Sequence, residues 1–164
     1  MTTETSTQGS SQHGNPLAHA TFVIERTYPV PVERVWHAHA DLAERKQWFG
    51  ADDSFTADEV SDDFRVGGRS VEDGEWHGGA RSRYVATYCD LVENERIVLT
   101  YDMWIDRAYF STSLTTTQLE QVDGGTRLTY TEQGVYVGGD EDARNRETGC
   151  NAILDELGAY LARA

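Results

Sequence analysis

From Ala20 the chain reads ATFVIERTY, where Phe22 and Ile24 fall on one face of an extended segment. That alternation predicts a first strand, ended by Pro29 and Pro31. The period then lengthens. In VERVWHAHADLAERKQWF, Val32, Val35, Trp36 and His39 recur at three and four positions, and Pro31 suits an early helical position. One or two short helices, broken near Ala40 to Leu42, are expected. After Gly50 the segments SFTADEV, DFRVGGRSV, ARSRYVATYCDLV, RIVLTYDMWI, YFSTSLTTTQLEQV and TRLTYTEQGVYV read as strands. EDG, ENE and DGG separate them as turns, and DGG at 123–125 is the strongest hairpin signal. From Asp140 onward Cys150, Ile153, Leu154, Leu157 and Leu161 form one helical stripe. The pattern predicts an α+β fold, a strongly curved antiparallel meander covered on one face by a long C-terminal helix. Short helices cannot fill the rest of the concave face, so a space between sheet and helix is expected as a ligand site.

The stretch DFRVGGR at 63–69 sets a phosphate-cradling loop against a bent strand. A cradle needs a buried apolar strand before it and a helix after it. SFTADEVSDD is too polar for the first, and SVEDGEWHGGA is too rich in Gly and Asp for the second. The stretch is therefore read as a strand in which Gly67 and Gly68 permit a bulge or a close backbone approach.

Residues 1–19 are dominated by Ser, Thr, Gln and Gly and are expected to be a disordered leader, leaving one domain over 20–163. With 38% hydrophobic residues in 164, that domain can bury a real core. The formal charge of -14 repels nucleic acid and anionic membranes, so neither is expected as a partner. No apolar run approaches the ~18 residues of a membrane span. Residues 1–19 lack the apolar core of a secretory segment, and Cys89 and Cys150 show no CxxC spacing. A reduced, cytoplasmic location is expected.

Five stretches in order, ERTYPVPVERVW (25–36), DFRVGGR (63–69), ENERIVLTY (93–101), DGGTRLTYTEQG (123–134) and RETGCNAILDEL (146–157), carry a resemblance to a known superfamily. Over roughly residues 20–163 the chain resembles START-like, or SRPBCC, proteins. The branch it looks most like is that of bacterial homologues of the activator of the ninety-kilodalton heat-shock-protein ATPase. The resemblance implies the helix-grip (Bet v-like) fold and a cavity between sheet and terminal helix, and it brings no catalytic residue. Many members of the branch carry Gly-Trp in that helix where this chain has Gly149 and Cys150, which implies a wider or more polar pocket. The function expected first is non-catalytic binding of a small apolar or amphipathic molecule by a sensor or carrier. The alternatives are an interaction module for a chaperone and a cyclase- or aromatase-like enzyme; bacterial members often pair, so a homodimer stays open.

Arg146 and Glu147 begin the stripe that continues to Ile153, Leu154 and Leu157, and on the preceding strand Leu128, Tyr130 and Glu132 share a face. Glu132 and Arg146 are expected to meet at the cavity mouth as a hydrogen-bonded ion pair, against the alternative of a solvated Arg146. The expected cavity residues are Tyr101, Met103, Tyr130, Glu132, Arg146, Cys150 and Leu154, with Trp48 and Phe49 as a lid beside Gly50. Most other aromatics are read as core. His37 and His39 point about 200° apart on a helix, unlike a zinc pair at i and i+4. No metal and no cofactor are expected. Cys89 and Cys150 are read as small buried hydrophobes, and no GxSxG accompanies them. Glu132 is the sole acid-base candidate for the enzyme alternative.

Overall fold

Phe22, Ile24 and Tyr28 are buried on one face of the first strand, and the same inward alternation is clearest again in the sixth, from Ser111 to Leu119. The computed structural model describes residues 16–50 and 53–163. Its elements are β1 (Ala18–Tyr28), α1 (Val32–Ala40), α2 (Leu42–Arg45), β2 (Phe55–Asp62), β3 (Arg69–Trp76), β4 (Arg81–Val92), β5 (Arg96–Ile105), β6 (Ala108–Val122), β7 (Gly125–Tyr136) and α3 (Asp140–Arg163). The strands form one seven-stranded antiparallel sheet in the order β1-β7-β6-β5-β4-β3-β2. This is the helix-grip arrangement, a sheet curved around a long terminal helix.

The break between the short helices falls at Asp41, whose extended backbone ends α1 and whose side chain accepts from the Glu44 amide at 2.9 Å to cap α2. α3 turns Leu154, Leu157 and Leu161 toward β1 and β7, where Phe22, Ile24 and Leu128 meet them. Val35 and Ala38 of α1 complete this core with Leu119, and the Trp48 indole donates to the Ala38 carbonyl at 3.0 Å. The Tyr28 ring packs against α3 at Gly158, and its hydroxyl donates to the Leu154 carbonyl at 2.8 Å. The helices pack on β1, β6 and β7, whereas none packs closely over β3, β4 or β5.

Three local expectations are corrected. β1 begins at Ala18, so Ala18 and His19 are strand, while residues 1–15 of the expected leader lie outside the described residues. Residues 63–68 are the turn between β2 and β3, not a strand. There Gly67 adopts φ 79, and a β-carbon on Gly68 would overlap the Asp63 carbonyl oxygen. The close approach is real; the turn is tied to β4 through Gly67 N to Tyr88 O at 2.8 Å and Tyr88 N to Gly68 O at 3.0 Å. EDG (72–74) lies inside β3, and the following turn falls at His77–Gly79. Gly74 is tolerated in the strand because β2 bulges toward it between Ala57 and Glu59, leaving no room for a side chain.

Leu157 is 0% exposed at the centre of the α3 contact. Leu157→Ala is expected to lower unfolding free energy by about 2–5 kcal/mol in urea titrations followed by circular dichroism.

Candidate functional site

The inward positions of β6 are Ser111, Ser113, Thr115, Thr117 and Leu119, so hydroxyls line the middle of the concave face. In register with them on β7 stand Tyr136, Gly134, Glu132, Tyr130 and Leu128. Glu132 is therefore carried into the interior with no solvent contact, at 0% exposure. Its Oε1 accepts from Ser113 Oγ at 2.6 Å, the Tyr101 hydroxyl at 2.7 Å, an Arg146 guanidinium nitrogen at 3.0 Å and the Tyr136 hydroxyl at 3.1 Å. Its Oε2 accepts from the Tyr130 hydroxyl at 2.6 Å and, more weakly, from the Cys150 thiol at 3.5 Å.

Arg146, in the early turns of α3, reaches down to this carboxylate. Its second terminal nitrogen donates to Ser111 Oγ at 2.8 Å and meets the Met103 sulfur at 3.0 Å, while the first also contacts the Tyr101 hydroxyl. The rings of Tyr101, Tyr136 and Phe110 surround the guanidinium at 5.1, 5.5 and 5.8 Å. Phe110 is the extra residue of a bulge opposite Met103 and Trp104, which turns its ring inward.

Burial by itself would raise the Glu132 carboxyl, but Arg146 and the hydroxyls of Ser113, Tyr130 and Tyr101 outweigh it and hold the group below the ordinary value. Burial first and then the Glu132 charge push the Cys150 thiol up to about 12, so it stays protonated and unreactive. Glu132 is thus an ionised carboxylate whose oxygens are filled by donors. Such a group is poorly placed to exchange protons with a substrate.

A second polar centre lies at the β2–β4 side of the same face. Arg45, at the end of α2, donates to Asp62 Oδ1 at 2.9 Å, the Tyr88 hydroxyl at 2.7 Å and Ser70 Oγ at 2.7 Å, and Tyr88 also donates to Asp62 at 2.7 Å. Glu72 follows Ser70 at the next inward position of β3, opposite Tyr84, with its carboxyl pressed against Gly50. It has no hydrogen-bond partner among the described residues. Burial, opposed by the Arg45 charge, pushes Glu72 up to about 7. The Phe49 ring packs on Tyr84 at 5.7 Å and Tyr84 on Tyr101 at 4.9 Å, so an aromatic path joins the two centres. Along it Tyr84, Leu99, Met103 and Tyr130 face the sheet's concave side yet remain partly accessible.

Of the residues expected from sequence, Tyr101, Met103, Tyr130, Glu132, Arg146 and Cys150 form one cluster. The Glu132–Arg146 pair lies deep rather than at a mouth, and the Arg146 side chain is 9% exposed rather than solvated. Leu154 sits further along α3 in the apolar core, and Trp48 is buried there at 4% exposure, which corrects its expected role as a lid. Phe49 is half-buried against Tyr84. Cys89 is exposed on β4 and not a buried hydrophobe; Cys150 is buried. Ser111, Ser113, Phe110, Tyr136 and the whole Arg45 centre went unrecognised. Extending the alternation back from Leu119 would have found the two serines. Among the described residues no group of His, Cys, Asp and Glu could hold a metal ion. His39 Nδ1 sits 2.9 Å from the Val35 carbonyl oxygen, and burial lowers the ring to about 4.

Comparison with known proteins adds three findings. The family profile described as Activator of Hsp90 ATPase homolog 1-like protein matches residues 29–162. A solved protein from Rhizobium leguminosarum is 36% identical over 90% of this chain and 97% of its own, with a TM-score of 0.86. Another, from Rhizobium loti, is 44% identical over 88% and 98% with a TM-score of 0.81, and one from Chromobacterium violaceum is 25% identical over 86% and 96% with a TM-score of 0.73. No curated protein matches the chain.

Two outcomes are expected from this geometry. Arg146→Met strands a buried carboxylate and should cost about 3–5 kcal/mol in urea unfolding, with the Glu132→Gln, Arg146→Met double variant costing far less than the sum of the singles. The second concerns Glu72. The folded chain keeps this proton up to about 7, whereas a carboxyl at its ordinary 4.5 gives it up earlier, so the native state binds more protons in that window. Stability should therefore fall as pH rises from 4.5 to 7, and Glu72→Gln should remove that part of the slope in thermal unfolding scans across pH.

Proposed function

The chain belongs to the family of Activator of Hsp90 ATPase homolog 1-like proteins, and on that premise we propose that it binds a small, largely apolar molecule between the concave sheet and α3, without chemistry of its own. One observation carries this reading. The inward side chains over β4, β5 and β7, Tyr84, Leu99, Met103 and Tyr130, are partly accessible although no helix packs closely over β3 to β5. Apolar and aromatic walls with a few fixed polar groups are the usual make-up of a small-molecule site. The Glu132–Arg146 unit supports the reading, because its donors and acceptors already satisfy one another and it can serve as a rigid floor. Thr115 and Thr117 add to it: both are buried, at 4% and 7% exposure, and neither hydroxyl has a hydrogen-bond partner among the described residues. Hydroxyls left without a protein partner in this way are available to a bound molecule or to water. Among the described residues no helix is long and apolar enough to cross a membrane, and a cytoplasmic carrier or sensor is the role that fits.

Native mass spectrometry of the protein isolated from the organism that makes it, followed by extraction, is expected to show a stoichiometric small molecule. A protein that is empty and also fails to take up the neutral apolar dye N-phenylnaphthylamine saturably would overturn the reading and turn attention to a chaperone as the partner.

A further inference from the structure

We infer that the molecule held in this interior is a neutral or cationic one whose hydroxyl or amine donates to Glu72, and that carboxylates and other anions are excluded. The inference rests on the binding reading above and adds the chemical class of the ligand.

Apart from Arg26 on β1, which is paired with Asp155 on α3, the charged side chains facing the interior among the described residues are Asp62 on β2, Glu72 on β3, Glu132 on β7, Arg45 at the end of α2 and Arg146 on α3. They do not cancel. Arg146 is paired with Glu132 at 3.0 Å, with its other nitrogen on Ser111 and Met103. Arg45 is paired with Asp62 at 2.9 Å, and Tyr88 and Ser70 also accept from it. Glu72 is left over. From the elements packed around it, Arg45 approaches from α2, Tyr84 from β4, and Gly50 covers the carboxyl.

This arrangement discriminates by charge. An entering carboxylate would lose its water and find both guanidinia already neutralised, with Glu72 and a row of tyrosine rings as its surroundings. A hydroxyl or ammonium would instead supply the donor that Glu72 lacks among the described residues. Phe49, Tyr84 and Tyr101, stacked between the two centres, offer faces to an aromatic or alicyclic body and, for an ammonium, negative ring faces as well.

Three probes with the same ring system separate these cases: naphthol, naphthylmethylamine and naphthoate, titrated calorimetrically at about pH 8 in high salt, which screens the acidic surface. Naphthol and naphthylmethylamine are expected to bind, with naphthoate weaker than naphthol by about tenfold or more. Glu72→Gln should weaken naphthylmethylamine by about tenfold or more while leaving naphthol within about twofold, because an amide still accepts from a hydroxyl. Naphthoate binding as tightly as naphthol, or a naphthylmethylamine affinity untouched by Glu72→Gln, overturns the inference and leaves the binding reading standing. Failure of all three probes to bind overturns both.

Discussion

A charge taken out of water must be met by opposite charge and by hydrogen bonds, and the Glu132–Arg146 contact imposes that demand on four elements at once. β6 answers with Ser111 and Ser113, β5 with Tyr101 and Met103, β7 with Tyr130 and Tyr136, and α3 with Cys150. Each of these groups helps hold a carboxylate that has no solvent contact of its own. The concave face thus departs from the apolar lining that alternation usually implies, and its middle is built of hydroxyls.

The two ends of the interior are built differently. Beneath α3 the apolar residues Leu154, Leu157 and Leu161 close firmly on β1 and β7. Over β3 to β5 the face is met by single side chains, Phe49 on Tyr84 and Phe64 on Tyr88 at 5.0 Å, instead of a helix. Packing is therefore dense at one end of the interior and side-chain-thin at the other. Arg45 and Asp62 anchor the thinly covered end, where Glu72 has no hydrogen-bond partner among the described residues.

Much of this was legible in the pattern of residues, and what was not has physical reasons. The strand-helices-strands-helix order follows from periodicity, and Glu132 followed from Leu128 by counting twos. Arg146 was suspect because a cation opened an apolar stripe. EDG misled because turn-forming residues were compensated from outside the strand, Gly74 by a bulge on β2 and Asp73 by Arg83 at 2.8 Å. DFRVGGR misled in the opposite direction, since a turn bonded to β4 shares a strand's backbone contacts. Trp48 read as a lid beside Gly50, yet its indole hydrogen bond to Ala38 belongs to the core. The Arg45 centre joins residues from α2, β2, β3 and β4, and no local spacing announces such an assembly.

The pairing of β1 with β7 also sets an order of events for a chain made from its N-terminus. Strands β2 to β6 can zip as successive hairpins while they emerge, but β1 waits for Gly125–Tyr136, and both residues of the buried ion pair lie beyond Val122. Until then the hydroxyl-lined face stands open to water, where its serines and threonines are well solvated and offer little to sticky partners. The hydroxyl strip of β6 is therefore also a benign part of the surface of a half-made protein.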